Sequence, residues 1–350
     1  MQKILFITGS INQTSQMHQI ANELPEFDCW FSQLFTDNRL FNLLINHSSL
    51  LKGTVLSGQF RASAEKYLRR HNLQIDFGAK LNNYDLVVFC SDIVVPVRLQ
   101  KFKTIWVQEG MVDKYTLLSK IVKKLKLPPF LCGNTSLNGS SNVCDVYCVA
   151  SSGYQEYFIE RGADKIKTVV TGMPNYDNLS QFLDNDFPYR DYVMVATTDM
   201  RETYRVENRP AFIKKATQIA NGRQMLFKLH PNENVARAER EIRKYAPAGA
   251  LIFSTGNTQH MIANCCELIT QYSTVVYTGI ALGKKVHSWF NLEQLHKLAP
   301  IQNGGSSAEN IAQICREYIN HTGAKQHFNP QNALNNHISQ ILNDELLINY

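Results

Sequence analysis

The sequence predicts an α/β protein of two Rossmann-like domains facing a cleft. Three observations carry that expectation. At 350 residues the chain exceeds one ordinary hydrophobic core and suits two α/β domains of roughly 150 to 200 residues each. Short apolar runs alternate with helical stretches through both halves, the pattern of a parallel sheet covered on both faces. A polar, proline-containing passage at 173–190 interrupts the pattern, which then starts again. The expected organisation is a first domain over 1–172, a linker over 173–190, a second domain over 191–330 and a C-terminal helix over 331–350 that could cross back to the first domain.

In chain order, Lys3 to Thr8 reads as a buried strand, and Gly9 and Ser10 open a polar loop before a helix over Gln16–Leu24. Gly-x-Gly-x-x-Gly is missing, so the loop does not indicate a dinucleotide site. Strands are expected at Cys29–Phe35, Asp85–Cys90, Thr104–Val107, Asp145–Val149 and Ile166–Val170, with helices at Gln59–Arg70 and Tyr154–Arg161. The second half repeats the pattern with strands at Tyr192–Ala196, Gln224–Leu229, Leu251–Ser254, Glu267–Thr270 and Lys284–His287. Its helices are expected at Pro210–Ala220, Val235–Tyr245, Thr274–Leu282 and Ala308–Ile319.

A composition of 44% hydrophobic and 19% charged residues is that of a soluble globular protein. The net charge of +6 suits anionic ligands or an anionic membrane surface. No lysine- and arginine-rich tract interleaved with aromatics points to nucleic acid. The eight cysteines form no Cys-x-x-Cys pair, although Cys144 and Cys148 would share one face of a strand, so a reducing, cytoplasmic setting is expected. The N-terminal apolar run is too short for a signal peptide and reads as the first strand.

Three strand ends carry candidate chemistry. Gln224–Leu229 delivers Lys228 and then His230, and Pro231 stops the strand before a turn and a helix. His230 therefore stands at the carboxyl edge of a sheet, where open α/β folds bind ligands and a helix start attracts phosphate. Gln271, Ser273 and Thr274 follow another strand and open a helix, a phosphate cradle that needs no metal. Gln108-Glu109-Gly110 ends a strand of the first half. Each has a plainer alternative: His230 as a capping or packing histidine, Ser273-Thr274 as an ordinary N-cap, and Glu109 as a buried or capping carboxylate.

The passages Val169–Asn178, Phe227–Pro231 and Gln271–Thr274 with Ala281–Lys284 resemble GT-B glycosyltransferases. The resemblance is to the capsule and wall polymer branch, with its sialyltransferases, Kdo transferases and CDP-glycerol glycerophosphotransferases. It covers about Trp106 to Val286, and the first hundred residues match only as a Rossmann half. It implies an acceptor-side first domain and a nucleotide-sugar-binding second domain. In sialyltransferase-like members an acidic-acidic-glycine motif, a His-Pro motif and a paired hydroxyl motif recur, which would be Gln108-Glu109-Gly110, His230-Pro231 and Ser273-Thr274. Gln108 departs from that pattern and cannot be an acid or base.

The resemblance implies a metal-independent transferase that moves a sugar from a nucleotide donor, favoured as a CMP-activated acidic sugar such as Kdo or sialic acid, to a cell-envelope glycan or glycolipid. The alternatives are a CDP-glycerol-type glycerophosphotransferase, a nucleotide-sugar epimerase and a non-catalytic nucleotide-sugar-binding protein. Glu109 would act as base, and His230 with Lys228, Ser273 and Thr274 would stabilise the leaving nucleotide. Gly9, Ser10, Gln108, Gly110, Pro231 and Gln271 complete the expected binding set. Asp199, after the strand Tyr192–Ala196, could instead be a nucleophile of a retaining reaction, or a turn residue. Asp184-Asn185-Asp186 spells Asp-x-Asp but falls in the expected linker, not at a strand end, so no metal or other cofactor is expected. Finally, Lys114–Leu127 forms an amphipathic pattern, with Lys120, Lys123, Lys124 and Lys126 opposite Leu117, Leu118, Ile121, Val122 and Leu125. That face would be a core contact or a peripheral contact with the inner face of an anionic membrane.

Overall fold

The computed structural model describes residues 1–37, 58–132, 134–198, 208–231 and 233–348. Asp199 lies outside the described residues. The chain begins with β1 (Lys3–Thr8), α1 (Ile11–Asn22), β2 (Asp28–Gln33), α2 (Gly58–Arg70), β3 (Gln74–Ile75), β4 (Leu86–Phe89) and β5 (Lys103–Val107). It continues with α3 (Leu117–Lys124), β6 (Val146–Val149), α4 (Ser152–Glu160) and β7 (Thr168–Val170). A second series runs β8 (Tyr192–Ala196), α5 (Arg209–Ala220), β9 (Met225–Lys228), α6 (Val235–Tyr245), β10 (Leu251–Phe253), α7 (Thr258–Asn264), β11 (Cys265–Thr270), α8 (Val275–Ala281), β12 (Lys285–His287) and α9 (Leu292–Leu298). Then come α10 (Ser307–Asn320) and α11 (Pro330–Ile348).

Two compact units result, one of residues 1–177 with 303–350 and one of residues 178–302. The first contains a seven-stranded sheet in the order β3-β2-β1-β4-β5-β6-β7, with its paired strands parallel. The second contains a parallel five-stranded sheet in the order β10-β9-β8-β11-β12. Each order reverses direction once, between β1 and β4 and between β8 and β11. Connections on opposite faces of the sheet leave a crevice at such a reversal, outside the carboxyl ends of the strands.

The strands are near-continuous apolar runs because both faces are covered: Ile4, Leu5 and Phe6 are fully buried, as are Val193, Met194 and Val195. In the first core Ile4, Phe6, Met17 and Ile20 pack with Ile311, Ile314 and Tyr318 of α10. This corrects the expectation that the helix at 308–319 belongs to the second domain. Its apolar stripe covers the first sheet, and the chain returns to the first unit at Asn303. The second core gathers Val193, Val195, Phe212, Ile213, Phe227 and Ile242.

Within Asp184-Asn185-Asp186 the middle residue has a structural part. Asn185 exchanges side-chain hydrogen bonds with Asn264 at 3.0 and 2.9 Å, while Asp184 and Asp186 are exposed. In α3 the expected lysine face is also corrected at one position. Lys123 turns inward and donates to the carbonyls of Ser140, at 2.9 Å, and Arg161. Burial lowers its pKa.

Glu267 on β11 collects Arg223 at 2.8 Å, Lys285 at 3.2 Å and His287 at 2.8 Å. Burial raises its carboxyl pKa, but hydrogen bonds from these three groups and the Arg223 charge outweigh that and pull it down to about 2. A folded pKa below the unfolded value of ~4.3 contributes stability that is present above that value and lost as pH falls toward 2. Glu267→Gln is therefore expected to cost about 2 to 3 kcal/mol at neutral pH and to flatten the stability curve between about pH 4.5 and 2. Urea titrations across that range check it.

Candidate functional site

In the second unit, β8, β9 and β11 end side by side and feed three short loops. Thr197 and Thr198 follow β8, Leu229 and His230 follow β9, and Gln271 to Thr274 follow β11. Ala196 is in register with Lys228 on one side and Thr270 on the other, which brings the three loops to one edge. His230 is partly exposed there and Pro231 is exposed. The His230 main chain is fixed from beneath: its N–H donates to Thr197 Oγ1 at 3.1 Å and Glu233 Oε2 at 2.9 Å. Thr197 also donates to Glu233, and Glu233 pairs with Arg209, the first residue of α5. Both members of that ion pair are almost fully buried.

Lys228 also has a structural part at this edge. Its ammonium is buried and donates to the carbonyls of Leu229 at 3.0 Å and Ser254 at 3.2 Å. Burial lowers its pKa. Two of its three donors thus tie the β9 and β10 ends together.

Gln271 is buried, and its main-chain carbonyl accepts from Ser288 Oγ at 2.9 Å and Trp289 N at 3.2 Å. Ser273 and Thr274 are partly exposed at the start of α8, where Thr274 occupies the N-cap position without a side-chain capping bond. Three side-chain atoms at this reversal, Thr198 Oγ1, Thr270 Oγ1 and Gln271 Oε1, are buried with no hydrogen-bond partner among the described residues. An unmade bond to a buried polar atom costs ~1–3 kcal/mol.

In the first unit the corresponding edge lies between β1 and β4, with β5 beside β4. Gly9 and Ser10 are covered by their own helix, because Gln13 Oε1 accepts from Gly9 N at 2.7 Å and Ser10 N at 3.4 Å. Ser10 Oγ in turn accepts from Gln13 N, completing a capping box that starts α1 at Ile11, earlier than the expected Gln16. The Gln13 side chain also hydrogen-bonds Glu109, which is partly exposed at the end of β5. Loss of solvation raises the Glu109 carboxyl pKa above the ordinary range, and the Gln13 bond offsets part of that rise.

Gln108 is 1% exposed, and its amide is engaged on both sides. It donates to Gly110 O at 3.1 Å and accepts from Ala150 N at 3.0 Å, while its main-chain carbonyl accepts from Gln16 Nε2 at 2.9 Å. An amide fits this double role where a carboxylate could not donate. Asp92, after β4, is likewise a brace, accepting from Gly139 N, Ser141 N, Ser141 Oγ and Tyr147 OH at 2.6 to 3.2 Å. Burial raises its pKa against those bonds.

The structure thus gathers His230, Pro231, Gln271, Ser273 and Thr274 at one edge, and Gly9, Ser10, Gln108, Glu109 and Gly110 at another. The sequence reading missed Gln13, Thr198, Thr270, Arg209 and Glu233. Ser10-x-x-Gln13 is a legible capping signal. The others become visible only through tertiary partners.

No protein-family model matches this chain, and no curated protein matches it in sequence. Solved structures do match in shape. Staphylococcus aureus MnaA with UDP aligns with a TM-score of 0.55 at 11% identity, over 91% of this chain and 97% of the other. The UDP-GlcNAc 2-epimerase of Neisseria meningitidis bound to UDP-GlcNAc gives 0.52 at 12% identity, covering 98% and 100%. That of Rickettsia bellii gives 0.50 at 12%, covering 91% and 97%. At such identities the likeness establishes the fold, two Rossmann-like α/β domains of the GT-B type.

Proposed function

We propose that this chain is a nucleotide-sugar enzyme that binds its nucleotide at the carboxyl edge of the second sheet and uses Glu109 of the first unit for proton transfer. The observation that carries the reading is the group of buried, unpartnered polar atoms at the β8/β11 reversal. Two hydroxyls, which both donate and accept, and one carbonyl oxygen suit the ribose hydroxyls and polar base edge of a nucleotide. Binding there would complete hydrogen bonds the described protein leaves unmade. His230 and Ser273, on the two loops that flank the end of β8, suit the charge that builds on a departing nucleotide.

Transfer to a sugar hydroxyl of a glycan or glycolipid is the favoured reaction. Such a hydroxyl is a poor nucleophile at neutral pH, and a carboxylate with a raised pKa takes its proton effectively as the bond forms. Epimerisation of the nucleotide sugar itself is the second reading, favoured by solved neighbours that are UDP-GlcNAc 2-epimerases.

A melting screen with CMP, CDP, UDP and GDP tests the binding step. At a hundredfold excess over Kd a nucleotide stabilises the folded state by about 2.7 kcal/mol, so at least one is expected to raise the midpoint by several degrees. No shift with any of the four would contradict the reading. Incubating the matching nucleotide sugar with and without a glycan acceptor then separates the reactions. Transfer requires the acceptor, whereas an epimer forms without it.

A further inference from the structure

We propose that α3 docks the first unit onto an anionic lipid surface, with Leu117, Leu118, Ile121 and Leu125 entering the interface and Lys120 and Lys124 on lipid phosphates. The inference goes beyond the nucleotide reading and does not depend on it. At about 100° per residue, Lys120, Lys124, Leu117, Ile121, Leu125 and Leu118 follow one another around a single outward arc. The four apolar members are 73%, 49%, 45% and 62% exposed, in the order Leu117, Leu118, Ile121, Leu125. A surface helix ordinarily turns its apolar arc to the core. This one does the reverse.

Facing inward are Val122, Ser119 and Lys123, and only the first is apolar. Ser119 Oγ is hydrogen-bonded to Ser136 Oγ at 2.7 Å and to Thr116 Oγ1 at 2.9 Å. With the Lys123 ammonium on main-chain carbonyls, the buried side is a satisfied polar seam that fixes the rotation of the helix. The apolar arc is therefore held outward by specific bonds. A contiguous exposed apolar strip of this kind marks a surface that meets a partner.

Charge identifies the occupant. Residues 114–131 contain five lysines and no acidic residue. A two-fold contact with a second copy would bring Lys120 and Lys124 toward their own counterparts, and like charges oppose it. An eight-residue helix, ~12 Å long, also offers far less than the roughly 800 Å² per partner of a stable protein interface. A bilayer needs neither property. Its acyl boundary accepts the leucines and its phosphates accept the flanking ammonium groups.

Co-sedimentation of the full chain with vesicles tests this, using phosphatidylcholine alone and an equal mixture with phosphatidylglycerol. Binding to the mixed vesicles is expected, fading as salt rises. The double variant Leu117→Ser with Ile121→Ser, and separately Lys120→Glu with Lys124→Glu, should each weaken it about tenfold or more. The melting midpoint should hold in both, since all four side chains are exposed. No binding to mixed vesicles would overturn the proposal, as would equal binding to phosphatidylcholine alone. So would binding that Leu117→Ser with Ile121→Ser leaves unchanged, which would indicate a diffuse basic surface. Self-association abolished by that variant, without vesicle binding, would assign the strip to a second copy.

Discussion

Glu109→Gln is expected to lower turnover by about 10² to 10⁴-fold while leaving the melting midpoint at neutral pH unchanged or higher. Proton transfer needs the carboxylate, and the amide removes it with almost no change of shape. The Gln13 side chain can still donate to the remaining carbonyl oxygen, so the loop at Gly9 and Ser10 keeps its brace. The stability half of the expectation follows from linkage. A carboxyl whose folded pKa is raised above its unfolded value binds protons more tightly in the folded state. Stability is then fully present below the unfolded pKa and falls as pH rises through the folded one. At neutral pH the charged Glu109 opposes folding, and the amide relieves that cost. Activity lost together with a lowered midpoint would indicate a structural carboxylate instead. Turnover in the native protein should also rise with pH through the raised pKa, and Glu109→Asp should retain part of it.

Glu233→Ala is expected to destabilise the protein by about 3 to 5 kcal/mol, the cost of breaking a buried ion pair by removing one member. Glu233 pairs with Arg209 and accepts from Thr197 and from the His230 N–H, so its loss strips a buried guanidinium of a carboxylate and frees the loop that presents His230. Glu241, 3.7 Å from Arg209 Nε, is a poorer partner. Denaturant titration gives the magnitude, and a loss under about 1 kcal/mol would show that the pair is not the anchor described above. His230→Ala makes the contrast. Its imidazole is partly exposed at the sheet edge, so this variant should keep the midpoint and lose about a hundredfold in turnover.

The sheets were legible in the sequence because parallel strands buried on both faces are short apolar runs with polar ends. Lys3–Thr8 and Tyr192–Ala196 match the observed bounds. The same polar ends placed His230 and Ser273-Thr274 at the carboxyl edge of the second sheet. Partnership was harder to read. Lys228 points to phosphate by its position beside His230, and the sequence does not disclose that two of its three ammonium donors go to carbonyls of Leu229 and Ser254, one of them in a loop 26 residues away. Gln108 stands where the sialyltransferase-like motif would have an acid, and its amide holds the β5 end to that of β6. Amphipathic periodicity shows that a helix has two faces but not which core it covers. On that account α10 was expected with its sequence neighbours and packs against the first sheet instead. The short helices α7 and α9 carried only the signals of Asn257 and Asn291 as N-caps.

We propose the carboxyl edge of the second sheet as the nucleotide site. Hydrogen exchange followed by mass spectrometry, with and without the nucleotide that raises the midpoint most, tests it most directly. Slowed exchange is expected in peptides covering Thr197–Thr198, Leu229–His230 and Gln271–Val275, with the amino ends of the same strands unchanged. Protection confined to the first unit, or to the amino edge around Arg223 and Glu267, would contradict it.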